Sequence, residues 1–129
     1  MNMKNNIAII FAGLLIAGTI IWSHGAASAP QEASVKNVSI VDGVQIIAIT
    51  AKGGYTPKIT KAEANMRSEL RITTRGTFDC SSALNIPSLN YHKNLPPEGE
   101  TRIEIPPQKA GTTLSGICAM GMYHFAVQF

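Results

Sequence analysis

The chain has 129 residues, a formal net charge of +3 and 45% hydrophobic residues, which limits it to one domain at most. Lysine and arginine are scattered between residues 36 and 109 without a run, and aromatic residues make up only 6% of the chain. The sequence therefore predicts no nucleic-acid partner. It also contains no internal repeat and no glycine-rich phosphate loop.

The N-terminal part contains an uncharged apolar segment, Ile7 to Trp22, preceded by Lys4. As a helix it would be about 24 Å long, slightly short of a hydrocarbon core of about 30 Å. We expect residues 1–22 to form a single uncleaved transmembrane anchor. The alternative is a secretory signal peptide cut after Ala27-Ser28-Ala29, which Pro30 as the first mature residue disfavours.

The residues around the anchor predict its orientation. Lys4 precedes the apolar segment, whereas residues 23–35 contain Glu32 and no lysine or arginine. By the positive-inside rule, the remaining domain is extracytoplasmic. Residues 23–36 are mostly small and polar, which predicts a linker.

Short segments with alternating hydrophobic and polar residues follow, separated by turn residues. This period of two is typical of β-strands and predicts an all-β fold over residues 37–129, either a sandwich or a small barrel. Strands are predicted over 44–51, 68–74, 101–105, 112–118 and 123–129. Turns are predicted at 53–57 and 75–78, and a short helical turn or loop at 61–67. The polar, proline-containing stretch 81–99 is predicted to be a long connection across one end of the fold.

Four sulfur-containing residues form the candidate site: Cys80, Cys118, Met120 and Met122. They can be explained as a disulfide of an exported domain, as buried core residues or as metal ligands. Residues 118, 120 and 122 share one parity, so in an extended segment they would project to one side. Gly121 allows the backbone between the methionines to bend, as a ligand loop requires.

Thiolates and thioethers are soft ligands that select Cu(I) over harder divalent ions. The paired Cys-x2-Cys spacing that is common in zinc sites is absent from the sequence. The residue types therefore favour a Cu(I) site. No Ser–His–Asp order or carboxylate pair indicates hydrolysis, so we expect a binding protein and not an enzyme.

Three motifs resemble a known family: "GGYTP" (53–57), the stretch from Phe78 to Gly111, and "CAMGMY" (118–123). They are similar to cupredoxin-fold Cu(I)-binding domains of bacterial copper handling. These include membrane-anchored copper chaperones and the domains attached to copper-exporting P-type ATPases and related membrane transporters. The resemblance covers residues 44–129 and departs from the family pattern after Tyr123, where "HFAVQF" follows.

The resemblance implies a cupredoxin-like Greek-key β-sandwich with Cu(I) bound by Cys80, Cys118, Met120 and Met122. Such sites can hold two copper ions, with the cysteine pair forming the tighter part and the methionine pair the more exchangeable part. It implies a copper chaperone or copper-resistance protein whose partner is a membrane copper transporter of the P-type ATPase type. Anchored chaperones of this family place the domain on the cytoplasmic face, so both sides of the membrane stay open.

Two histidines leave an alternative function open. A blue-copper electron carrier uses two histidines, one cysteine and a weak axial methionine. His124 lies six positions after Cys118 and is a candidate second histidine, but Cys80 occupies the position of the first. We therefore rank copper carriage above electron transfer. We expect His124 to be a surface residue on a strand and His92 a solvated loop residue, with a weak ligand near the mouth of the site as the alternative for His92. A third alternative is a metal-free interaction domain with a Cys80–Cys118 disulfide.

Overall fold

A computed structural model describes residues 36–129. The predicted anchor, residues 1–22, and the predicted linker up to residue 35 lie outside the described residues. No helix within 36–129 is both long and apolar enough to span a bilayer. The described strands are β1 Val38–Val41, β2 Val44–Ala51, β3 Tyr55–Thr56, β4 Ile59–Lys61, β5 Ser68–Arg75, β6 Ala83–Ile86, β7 Tyr91–Asn94, β8 Glu98–Ile105, β9 Thr113–Cys118 and β10 His124–Gln128.

All five predicted strands are confirmed, as β2, β5, β8, β9 and β10, and the all-β prediction with them. Residues 61–67 were predicted to form a helical turn or a loop. The structure has a loop over 62–67, with a turn at 64–65, while Lys61 ends β4. The final strand is regular despite its unusual sequence, because it pairs with β9 on one side and β4 on the other.

The prediction of a long connection over residues 81–99 is wrong. This stretch contains β6 and β7, which pair with each other and extend a sheet. Leu84 and Ile86 of β6 are fully buried. β7 is an edge strand with mostly exposed side chains, so its sequence is polar although its backbone is paired.

Two sheets form the sandwich. The first has the order β1-β2-β5-β8, with β3 paired to β2, and the second has the order β4-β10-β9-β6-β7. Most neighbours are antiparallel, but β2 runs parallel to β5 and β4 runs parallel to β10. The second sheet combines strands from both sides of β5 in the chain. Two of its three interior strands, β9 and β6, are neighbours in the sheet but distant in the sequence.

The core lies between the inner faces of the two sheets, where alternate residues of each strand are buried. The first sheet contributes Ile47, Ile49, Leu70, Ile72, Ile103 and Ile105, and the second contributes Leu84, Ile86, Leu114, Phe125 and Val127. Cys118 is a member of this cluster, and Cys80 packs against it from the rim. The candidate site is therefore built on the end of the hydrophobic core.

Candidate metal centre

The two cysteines meet because β6 pairs with β9. Cys80 opens a 3-10 turn, Cys80–Ser82, directly before β6, and Cys118 is the last residue of β9. Antiparallel pairing places Leu84 opposite Cys118, so the beginning of β6 meets the end of β9. The α-carbons of the cysteines lie 5.8 Å apart and their sulfurs are joined as a disulfide. This is the pairing that the sequence left open as an alternative to metal binding.

The four sulfur residues differ in exposure. Cys118 is 1% exposed and Cys80 is half-buried, whereas Met120 is 81% exposed and Met122 is 62% exposed. Residues 119–123 form a turn, so the extended geometry that would align residues 118, 120 and 122 on one side is not present. The cysteines thus form an inner pair, and the methionines lie on an exposed loop that begins immediately after Cys118.

Backbone hydrogen bonds fix this loop to Cys118. The Gly121 N–H donates to the Cys118 carbonyl over 2.8 Å, and the Cys118 N–H donates to the Tyr123 carbonyl over 2.9 Å. Gly121 has a φ of +72°, in the left-handed region that favours glycine. The Tyr123 N–H also donates to Cys118 Sγ over 3.3 Å. A donor in this position stabilises negative charge on the sulfur when the cysteine is a thiolate.

Asp79 holds the turn that carries Cys80. Its Oδ1 accepts hydrogen bonds from the Ser81 N–H, over 2.8 Å, and from the Ser81 hydroxyl. Its Oδ2 accepts from the Gly53 N–H over 2.9 Å. The hydrogen bond from the Ser81 hydroxyl, followed by those from the Gly53 and Ser81 amides, lowers the pKa of Asp79 below its ordinary value. No periodic pattern in the sequence links this carboxylate to a glycine 26 positions earlier.

Tyr55 lies in the core beneath the site and is 2% exposed. Its hydroxyl donates to the Ser81 carbonyl over 2.9 Å. Its ring packs edge-on against Phe125, with centroids 5.1 Å apart. Burial, together with the negative charge of Asp79, raises the pKa of Tyr55 to about 12. The phenol therefore anchors the Cys80 turn to the core in its neutral form.

We expect Tyr55→Phe to lower the free energy of unfolding by about 1 kcal/mol at neutral pH, because the Ser81 carbonyl loses its buried donor. The wild-type protein should also lose stability as the pH rises from about 10 to about 12, because the folded state holds the Tyr55 proton more tightly than the unfolded state does. Denaturant unfolding at about pH 8 and about pH 11 measures both effects. A Tyr55→Phe variant with the same alkaline loss as wild type would contradict the assignment.

Both histidines lie on the outer face of the second sheet. His124 pairs with Ile117, whose side chain lies on the opposite face from that of Cys118. His92 pairs with Asn85 and contacts its Oδ1 through Nδ1 at 2.9 Å, and Asn85 in turn pairs with Ile117. Three strand spacings of about 4.8 Å thus separate the two histidines. This geometry does not form the two-histidine, one-cysteine arrangement of a blue-copper centre.

Within residues 36–129, no group of three or more His, Cys, Asp or Glu side chains is arranged to hold a metal ion. The sulfur atoms at this end of the sandwich belong to the two cysteines and to the two methionines of the adjacent loop. Phe78 is 83% exposed two residues before Cys80. It follows the end of β5 and fits no alternating pattern, so the sequence does not single it out.

The fold agrees with the comparison of the chain with protein families. A family model described as a cupredoxin-like domain matches residues 13–127. The chain belongs to the cupredoxin-like domain family. No curated protein sequence matches the chain.

Solved structures share this cupredoxin-like fold. An NMR structure of a copper-binding protein in the apo form matches with a TM-score of 0.63 and 26% identity, over 70% of this chain and 92% of that chain. The Cu(I)-bound metal-binding domain of the Cu(I)-exporting P-type ATPase CopA from Streptococcus pneumoniae D39 matches with a TM-score of 0.60 and 20% identity. This match covers 70% of the present chain and 90% of that chain.

Proposed function

We propose that this cupredoxin-like domain binds Cu(I) through Cys80, Cys118, Met120 and Met122 and exchanges it with a membrane copper transporter. One observation carries the proposal: an inner pair of cysteines lies directly beside an exposed loop with two methionines. When the disulfide is reduced, the same pair supplies two thiolates at the end of the core. The protein would then act as a copper chaperone or copper-resistance protein, with copper as its cargo.

The two pairs of sulfur ligands suit different parts of this task. Thiolates bind Cu(I) tightly, and burial of Cys118 excludes water from that side of the ion. Neutral thioethers bind more weakly, and their exposure leaves them accessible to ligands of a partner. The exposed side chains of Met120, Met122 and Phe78 provide apolar surface near the cysteines. We also propose that the methionine pair can hold a second copper ion.

The structural relatives support copper as the cargo. The 26%-identical relative is a copper-binding protein, and the ATPase domain has the same fold and binds Cu(I). The transporter partner rests on the sequence resemblance to chaperones and to domains attached to copper-exporting ATPases. The anchor at residues 1–22 would place the site at the membrane where such a transporter lies.

Competition for Cu(I) tests the function. The full chain, reduced and kept anaerobic in detergent, is titrated against a strong chromophoric Cu(I) chelator. We expect one equivalent of Cu(I) to be withdrawn tightly, and the affinity to fall more than about a hundredfold in Cys80→Ser with Cys118→Ser, because this variant loses both thiolates. Met120→Ala with Met122→Ala should weaken only the looser binding. A double serine variant that withdraws Cu(I) from the chelator as well as wild type does would contradict the proposal.

The disulfide favours a second candidate function, that of a metal-free interaction domain stabilised by Cys80–Cys118. Counting free thiols in protein purified without reductant separates the two. A complete disulfide in a protein that withdraws no Cu(I) after reduction supports the interaction domain. Two reactive thiols in the isolated protein exclude it.

The side of the membrane decides which cysteine state prevails. An extracytoplasmic domain, which the charge rule favours, would meet oxidising conditions that promote the disulfide, whereas a cytoplasmic domain would keep both thiols reduced. A reporter fused to the C-terminus, active on only one side, measures the orientation. We expect the extracytoplasmic result, and a cytoplasmic reporter signal would reverse that assignment.

A further inference from the structure

We infer that the Gly53-Gly54 turn and Tyr55 at the start of β3, together called the GGY loop, form a brace that fixes Cys80 relative to Cys118 and thereby sets the affinity of the site. The inference rests on the proposed Cu(I) function for its effect on copper, but its effect on the cysteine pair can be measured without copper. The GGY loop lies more than twenty positions before Cys80 in the sequence. It nevertheless contacts the residues that hold each cysteine.

On the Cys80 side, the loop makes two hydrogen bonds. The Gly53 N–H donates to Asp79 Oδ2 over 2.9 Å, while the other oxygen of this carboxylate caps the turn that begins at Cys80. The Tyr55 hydroxyl donates to the Ser81 carbonyl over 2.9 Å. Asp79 and Ser81, on either side of Cys80, are therefore both hydrogen-bonded to the GGY loop. The position of the Cys80 backbone thus depends on the position of this loop.

On the Cys118 side, the loop touches the residue that donates to the sulfur. A β-carbon on Gly54 would lie 3.5 Å from Cδ1 of the Tyr123 ring, so the Gly54 backbone lies against this ring. Tyr123 exchanges two hydrogen bonds with Cys118: its N–H donates to Sγ over 3.3 Å and its carbonyl accepts from the Cys118 N–H over 2.9 Å. The contacts thus run from one cysteine to the other through the GGY loop.

Glycine is needed for the backbone conformation of this turn. Gly53 has a φ of +59° and Gly54 a φ of +124°, and the second value lies in a region that side chains rarely adopt. The Gly54 carbonyl closes the turn by accepting from the Lys52 N–H over 2.9 Å. Outer contacts of this kind hold ligands in the geometry for binding, so less ordering is required when the metal arrives.

A comparison of two glycine variants tests the brace. Gly54→Ala introduces backbone strain within the loop. Gly99→Ala introduces similar strain at a φ of +131°, where a β-carbon would meet nothing within 4 Å. The Cu(I) affinity of each full-length variant is measured by chelator competition. The stability of its disulfide is measured by equilibration with glutathione, in which the protein dithiol and oxidised glutathione exchange with the protein disulfide and two reduced glutathiones. Melting temperatures record the general cost of the strain.

We expect Gly54→Ala to weaken Cu(I) binding roughly tenfold or more, and to lower the tendency of the two thiols to form the disulfide by a comparable factor. Gly99→Ala should remain within about twofold of wild type in both measurements, even where its loss of melting temperature is similar. Equal effects of the two variants on both equilibria would overturn the brace. Wild-type protein that withdraws no Cu(I) would refute the proposed function, and the glutathione equilibrium would still decide the inference.

A second pair of variants covers the case in which Gly54→Ala does not fold. Asp79→Asn keeps one side-chain oxygen for Ser81 and loses the acceptor for the Gly53 N–H. Asp42→Asn makes the same change of charge at an exposed turn between β1 and β2. The brace predicts that only Asp79→Asn loosens the cysteine pair in the glutathione equilibrium. Equal equilibria in the two asparagine variants would contradict it.

Discussion

Gly116→Ala is expected to lower the free energy of unfolding by about 3 kcal/mol, because it overpacks the centre of the core. Gly116 of β9 lies directly opposite Phe125 of β10. A β-carbon at residue 116 would overlap Cε1 and Cζ of the Phe125 ring and lie 2.9 Å from Cδ1. The ring is 1% exposed and packs against Tyr55, so it has little room to move away. Denaturant unfolding gives the loss as a shift of the midpoint at constant slope.

A double-mutant cycle provides the control for this prediction. Phe125→Leu removes the ring atoms that would overlap, so it should restore part of the stability lost in Gly116→Ala. Ser115→Ala, on the neighbouring exposed position of β9, should change the stability by less than about 0.5 kcal/mol. Additive losses in the double variant would show that the overlap with Phe125 is not the cause.

The strands that could be predicted from the sequence are those in which alternation extends over five or more residues. In β5, for example, Leu70 and Ile72 alternate with Glu69 and Arg71, and the structure buries the first pair while leaving the second partly exposed. β6 has the same signal in miniature, since Leu84 and Ile86 flank Asn85. Its four residues stand between polar turns and a proline, so the local pattern was too short to distinguish a strand from a loop.

The candidate site could likewise be predicted from the sequence only in part. The residue types of Cys80, Cys118, Met120 and Met122 define a soft donor set without any knowledge of distance. Shared parity does not align the side chains of residues 118, 120 and 122, because Gly121 and its neighbours form a turn and parity describes only an extended chain. The contact of Asp79 with Gly53 could not be predicted from the sequence, because it depends on how distant turns meet at one end of the two sheets.

Reduction of Cys80–Cys118 in the absence of copper is expected to lower the free energy of unfolding by about 4 kcal/mol, and Cu(I) is expected to restore much of it. The disulfide spans a sequence separation of 38 residues. In the chain-entropy model, a cross-link of this length restricts the unfolded state by about that amount. Reduction adds two electrons and two protons to give two thiols, and Cys80 and Cys118 would then lose those protons and hold Cu(I) as thiolates in the folded protein. Because Cu(I) would bind the two thiolates more tightly where the fold holds them together than in the unfolded chain, it should stabilise the fold.

Three forms of the full chain are compared by denaturant unfolding: oxidised, reduced without copper, and reduced with one equivalent of Cu(I). Cys80→Ser with Cys118→Ser supplies the control, because it should match the reduced form and gain little from Cu(I). Met120→Ala with Met122→Ala should keep most of the stability gained from Cu(I), since both of its cysteine thiols are intact. The experiment therefore separates the two roles of the cysteine pair. A disulfide with no affinity for copper predicts a loss on reduction that Cu(I) does not reverse, and that result would rule out a copper bridge between these cysteines.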